Sequence, residues 1–229
     1  MDTKYFNVLK KTFLFADIDD EYRSKLIKCL SPSIKRYSKR EILLLMGDYV
    51  HKIGIILDGT ASAYLEKADG SHTIISKLSQ KSVFGEILVS TRQHKSPVTV
   101  YAESDVVVAY ISYERLFSMC SEACEGHRIF FQNLLKAIGD KYFRMFDRIK
   151  ILQERTLRDK ILAFVYNLQD DKNTKTITLP FSKTNLAEYL LTNRTSLSKE
   201  LRKMQDEGII TINKREVEIH QERNSIPSK

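Results

Sequence analysis

The sequence predicts an α+β chain made of an N-terminal β jelly roll, one long helix and a C-terminal winged helix-turn-helix. Three observations predict it. Short β-rich runs cut by turn residues at intervals of roughly ten fill residues 34 to 113. Apolar residues at alternating spacings of four and three then run from Phe131 to Leu152. A helix, a short break, a second helix and a hairpin follow between Ser182 and Ile219. The chain of 229 residues allows one large domain or two small ones, and the pattern divides it at 1–125, 126–153 and 154–229.

Composition narrows the class. Apolar residues make up 42% and aromatic residues 10%, enough to bury a core, which excludes a disordered or fibrous chain. The longest apolar run, Val106 to Ile111, is about six residues against the roughly 18 that span a bilayer, and residues 1 to 15 lack the apolar core of a signal peptide. A cytoplasmic protein without membrane contact is expected. Cys29, Cys120 and Cys124 are too few for a disulfide scaffold, in keeping with a reducing compartment. The 37 Lys+Arg against 29 Asp+Glu give +8, an excess that suits a polyanionic partner once it has a location.

The elements follow in order. A short helix is expected around Lys4 to Thr12 from Phe6, Leu9 and Phe13. In the jelly roll, the clearest hairpin pairs Ser62–Glu66 with Thr73–Lys77 around Asp69-Gly70, residues that accept the positive φ of a tight turn. Val98–Ala102 and Val106–Ile111 close the region, the second apolar enough for burial on both faces. The helix from His127 to Leu152 presents Phe131, Leu135, Ile138, Tyr142, Met145, Ile149 and Leu152 as a seam of about three heptads, which predicts a homodimer. The alternative is an amphipathic helix packed on its own barrel. A helix from Thr156 ends in a polar turn, Asp170 to Lys175, and leads to a strand at Thr176–Leu179. Ser182 and Asn193 suit the N-caps of the next two helices, Gly208 stops the second, and Ile209–Ile212 with Glu216–Ile219 form a two-stranded wing.

On the helix from Asn193, Leu197, Leu201 and Met204 fall on one inward stripe. Its other face carries Arg194, Thr195, Ser196, Ser198, Lys199, Arg202 and Lys203, which together with Ser182 and Asn193 are the candidate DNA-binding residues. Arg can bridge guanine O6 and N7, while Lys and hydroxyl side chains suit phosphates, so this face locates the basic excess. A solvated charged face is the plainer alternative. The P-loop, nucleophile-elbow, zincin and Cys-x-x-Cys motifs are absent from the sequence, so no enzyme class is indicated. Cys120, Cys124 and His127 could share one helical face as soft-metal ligands, though incidental placement explains them as simply.

The segments Ile55-Ile56-Leu57-Asp58-Gly59, Val83-Phe84-Gly85-Glu86, Ile111-Ser112-Tyr113, Ser182-Lys183-Thr184-Asn185-Leu186-Ala187-Glu188-Tyr189-Leu190 and Asn193-Arg194-Thr195-Ser196-Leu197 resemble the Crp/Fnr family of bacterial transcription regulators over about residues 15 to 220. The resemblance implies a cyclic-nucleotide-binding-like barrel, a dimerisation helix, and winged helices that an effector repositions on pseudo-palindromic DNA, with RNA polymerase as a further partner. It makes Arg194 the guanine-reading residue and Lys199 a second basic contact, while Thr195 departs from the frequent glutamate. In the family's cyclic-AMP receptors the glutamate of Phe-Gly-Glu takes the ribose 2′-hydroxyl and an Arg-Ser pair takes the phosphate. Here Phe84, Gly85 and Glu86 are present, but Ser96-Pro97 stands in place of Arg-Ser, and proline removes a backbone donor. An effector other than cyclic AMP is therefore expected, with Glu86 left to cap local backbone. A four-cysteine iron-sulfur site is excluded by the three cysteines. Haem, as used by some members, would take an axial ligand from His51, His72, His94 or Met46, and members lacking the phosphate arginine include regulators of nitrosative stress. The competing reading is a cyclic-nucleotide-responsive regulator with non-standard phosphate contacts.

Overall fold

The computed structural model describes residues 2–66, 70, 72–89, 94–117, 125–172 and 176–220. The chain divides into two compact units, Met1–Lys141 and Tyr142–Lys229.

The first unit opens with α1, Thr3–Lys10, capped by the Asp2 carboxylate, which accepts from Lys4 N. A 3-10 turn, Phe13–Phe15, and α2, Asp20–Leu30, follow. Tyr5, Leu9, Leu14, Phe15, Leu26, Ile27 and Leu30 are buried and Phe6 packs partly against them, so of the expected Phe6, Leu9 and Phe13 only Phe13 is exposed. The sequence reading had not anticipated α2. Its signals are the acidic first turn of Asp20 and Glu21 and the buried Leu26 and Ile27 followed one turn later by Leu30.

Among the described residues eight strands form the barrel: β1 Ser33–Tyr37, β2 Ile42–Leu44, β3 Lys52–Asp58, β4 Ala61–Glu66, β5 His72–Leu78, β6 Val83–Phe84, β7 Thr99–Ala102 and β8 Val106–Ser112. They pair antiparallel in two sheets, β1-β8-β3-β6 and β2-β7-β4-β5. The β4–β5 hairpin keeps the expected pairing, with Ser62 opposite Lys77 and Gly70 at φ +79°. Alternation along β8 explains its apolar run. Val106 and Val108 join Ile56, Phe84 and Val100 between the sheets, while Val107, Ala109 and Ile111 pack under the helices with Leu9, Phe15 and Phe130. Gly54 on β3 is fixed by this packing, since a Cβ there would lie 2.2 Å from the Phe84 ring. Two short helices, α3 Glu86–Val89 and α4 Tyr113–Phe117, flank the last strands.

The long helix α5 spans Glu125–Gln153, close to the expected range. The second unit continues with α6 Leu157–Lys172, β9 Thr176–Thr178, α7 Lys183–Tyr189, α8 Arg194–Asp206, β10 Ile210–Asn213 and β11 Glu216–Ile219. Thr156 caps α6, accepting from Asp159 N at 3.1 Å. The expected polar turn at Asp170 is still helix to Lys172. The wing is three-stranded, in the order β10-β11-β9, since β11 pairs on its free edge with β9 through Val217 opposite Ile177. No helix among the described residues is long and apolar enough to cross a membrane.

Candidate nucleic-acid interface and effector pocket

The two helices of the helix-turn-helix are started by the side chains the sequence nominates. Ser182 Oγ accepts from Asn185 N at 3.2 Å, and Asn193 Oδ1 accepts from Ser196 N at 2.8 Å, each cap contributing about 1 kcal/mol. Both side chains thus orient backbone in addition to any role at DNA. Between the helices Leu191 takes φ +54°. Leu197, Leu201 and Met204 are fully buried on α8, each contributing roughly 1.5–3 kcal/mol. Arg194, Thr195, Lys199, Arg202 and Lys203 are exposed, with Ser196 and Ser198 half-buried beside them.

Arg158, on α6, fixes α8 from behind. Its Nε donates to Glu200 Oε1 at 2.7 Å, and its Nη1 and Nη2 donate to the Glu207 carboxylate at 2.6 and 3.2 Å. Hydrogen bonding to Glu207 and then Glu200 raises the guanidinium's proton affinity, and the same contact lowers the Glu207 carboxyl below its ordinary value. Glu200, the acidic residue between Thr192 and Lys203, is thereby paired, sharing the guanidinium with Glu207. A second arginine, Arg148 of α5, holds α7. Its Nη2 donates to Tyr189 O at 3.2 Å and its guanidinium lies 4.3 Å over the Tyr189 ring, which packs with Phe164 and Phe181. Burial lowers Arg148 from its ordinary value and raises the Tyr189 phenol. Arg148 and Arg158 escaped the sequence reading because their partners lie some 40 positions away.

In the barrel, Phe84 is buried edge-on to Tyr110, at 6.0 Å. Gly85 needs its φ of +81°, and a Cβ would meet Lys52 O at 3.0 Å. Glu86 is buried, but it does not cap backbone as expected: Lys141 Nζ of α5 pairs with its Oε1 and donates to Val83 O at 2.7 Å. Ser96 is buried and closed on its own turn, its Oγ donating to Val98 O at 2.7 Å and accepting from Val98 N, while Pro97 is exposed. Neither residue offers a charge to a phosphate.

Of the four haem ligands proposed from sequence, His51 and His94 come near one another, their ring centroids 6.4 Å apart. His51 stacks on exposed Tyr49, His72 meets Tyr64 edge-on, His94 Nδ1 lies 3.1 Å from Leu88 O, and Met46 is exposed. None of the four is buried in an apolar cavity, so these residues do not fit an enclosed haem. Cys120 and Cys124 lie outside the described residues. His127 is buried, and desolvation lowers its imidazole from the usual 6.5. Among the described residues no group of three His, Cys, Asp or Glu could hold a metal ion.

Along α5 both sequence readings find residues. Phe130, Leu134 and Ala137 are buried, the first two in the barrel core, and Phe131 and Ile138 pack partly against it. Leu135, Tyr142, Met145 and Ile149 are 68%, 64%, 59% and 48% exposed, with Leu152 half-buried. Phe143 and Phe146 add to the uncovered stripe and were not in the expected seam.

Residues 34–123 match the family model for the cyclic nucleotide-binding domain, and residues 159–224 match that for the Crp-like helix-turn-helix domain. Among curated proteins no sequence matches. Solved structures share the fold. A mutant of CooA from Carboxydothermus hydrogenoformans is 19% identical, with 92% of each chain covered and a TM-score of 0.72. The c-di-GMP responsive global regulator CLP from Xanthomonas campestris is 18% identical over 87% of this chain and 100% of that one, with a TM-score of 0.66. FixK2 from Bradyrhizobium japonicum is 16% identical over 84% of this chain and 94% of that one, with a TM-score of 0.61. With a cyclic nucleotide-binding barrel, a long helix and a Crp-like helix-turn-helix in that order, the chain belongs to the Crp/Fnr family of transcription regulators.

Proposed function

We propose that the protein acts as a homodimer that binds pseudo-palindromic duplex DNA through two copies of α8, under the control of an effector other than cyclic AMP. The observation that carries the reading is the face of α8: four exposed cations on a helix capped by Asn193 and held from behind by Arg158. A helix so presented suits the major groove, with Arg194 in the opening turn where base edges are reached. The uncovered α5 stripe supplies the dimer seam, and 1–125, 126–153 and 154–229 divide the work into sensing, pairing and DNA binding. Contact with RNA polymerase follows from the family resemblance alone. A regulator is favoured over an enzyme by the same interface.

Supporting a different effector is the chemistry at the barrel, where Ser96-Pro97 offers no cation and Glu86 is already paired. The structural neighbour CLP is c-di-GMP responsive, so the fold serves ligands other than cyclic AMP. Redox or nitrosative-stress sensing stays within this reading, without an enclosed haem. The second reading, a cyclic-nucleotide-responsive regulator with non-standard phosphate contacts, rests on the match over 34–123 and on the buried Glu86. A mobility shift with duplex DNA from upstream of the protein's own coding sequence tests the main reading. Retardation that survives competitor DNA is expected, and binding no tighter than to random duplex would refute it.

A further inference from the structure

The carboxylate that opens α3 is engaged from inside the protein. Glu86 has a side chain only 1% exposed, and the ammonium of Lys141, 30% exposed, comes to it from α5. The contact is an ion pair, and the same Nζ donates to Val83 O. Lys141 therefore touches both sides of the Phe84-Gly85 turn, the strand before it and the helix after it. Among the described residues Glu86 Oε2 has no hydrogen-bond partner, so Lys141 is the one cation compensating a deeply buried charge there. Removing one member of such a pair is far more costly than changing an exposed one, because the other is left buried and uncompensated.

We propose that Lys141 is a built-in occupant of this site. It positions α3 and the β6–α3 turn on α5 with no small molecule bound, and it sets specificity by denying Glu86 to a neutral donor such as a ribose hydroxyl. A hydroxyl that took Glu86 would leave the ammonium stranded beside the barrel. Cyclic nucleotides are thus excluded by a second cause, separate from Ser96-Pro97, and restoring an Arg-Ser pair is not sufficient. The inference rests on the regulator reading only for its DNA readout.

The test uses the full-length protein without ligand. Amide hydrogen exchange is measured over residues 83–89 in wild type, Lys141→Met, Lys141→Arg, Glu86→Gln and the Glu86→Gln/Lys141→Met double variant. Lys141→Met should speed exchange about tenfold there, Lys141→Arg should keep it near wild type, and the double variant should lie closer to wild type than Lys141→Met does. Titration with cyclic AMP should give no heat with Ser96→Arg/Pro97→Ser, and should give heat once Lys141→Met is added. Wild-type exchange in folded Lys141→Met, or cyclic AMP binding by Ser96→Arg/Pro97→Ser alone, overturns the proposal. Should Lys141→Met not fold, Glu86→Gln decides by the same exchange comparison, faster exchange supporting the role and unchanged exchange ending it. Operator affinity should shift about threefold in Lys141→Met and not in Lys141→Arg. If the wild type binds no DNA, the regulator reading falls while the exchange and titration results still decide this one.

Discussion

Arg194 and Lys203 are both exposed on α8 but stand at opposite ends of the helix, nine positions and about half a rotation apart, and suit different contacts. Arg194 is exposed in the first turn, where a guanidinium can donate two hydrogen bonds to O6 and N7 of one guanine. Arg194→Ala should cost roughly 1–3 kcal/mol on the specific site and relax preference at one position per half-site, measured by competition with single-base variants of the duplex. Lys203 sits near the end of the helix, 4.0 Å from Glu207, and suits a phosphate. Lys203→Ala should weaken all sequences alike and flatten the salt dependence by about one unit. Equal loss on specific and random DNA in Arg194→Ala would remove its base-reading role. His127 gives a second prediction at this scale. Burial depresses its folded-state value, so between that value and the unfolded one near 6.5 the unfolded chain binds more protons. The neutral imidazole's contribution is present above pH 6.5 and is lost as pH falls below it. Thermal stability should drop from about pH 7.5 to about pH 5.5, and His127→Gln should reduce the drop.

Among the elements, α5 meets two surfaces, which the seven-residue pattern alone could not separate. Phe131 and Ile138 belong to the seam by spacing yet pack on the barrel, so charging Ile138 would disturb the first unit's core as well as any partner. Met145 and Ile149 are exposed and give the cleaner test. Replacing both with glutamate should yield monomer by light scattering with helix content unchanged, and dimer mass in that variant would end the seam assignment. What was legible in the sequence was local: the Ser182 and Asn193 caps, the Gly70 turn, and the alternation that buries both faces of β8. What was not legible was long-range. The strand at Thr176 was visible, but its pairing with β11 depends on an edge that no local pattern marks. The Glu86–Lys141 pair and the Arg158 clamp join side chains distant in sequence, and a charged residue's partner cannot be read from its neighbours. In α2 the polar run Asp20–Lys25 precedes the three buried residues, which all fall in the helix's second half and leave no repeating stripe to read.

For the whole molecule, the proposed effector control turns on the barrel's chemistry. A cyclic phosphate buried without a paired cation carries a desolvation cost of several kcal/mol, and Glu86 is already engaged. Calorimetry of the unmodified protein with about millimolar cyclic AMP should show no heat, and operator affinity should not change. Micromolar binding would restore the cyclic-nucleotide reading. In the proposed dimer two copies of α8 read one duplex together. Two recognition helices on a two-fold dimer fit half-sites whose centres lie about one helical turn, ~34 Å, apart. The direct measurement is the affinity for a selected operator before and after about five base pairs are inserted between its half-sites, with the complex mass recorded in parallel. Two chains per duplex and loss of specific affinity on insertion, regained with about ten base pairs, are the expected results. One chain per duplex, or affinity indifferent to the insertion, would contradict the account.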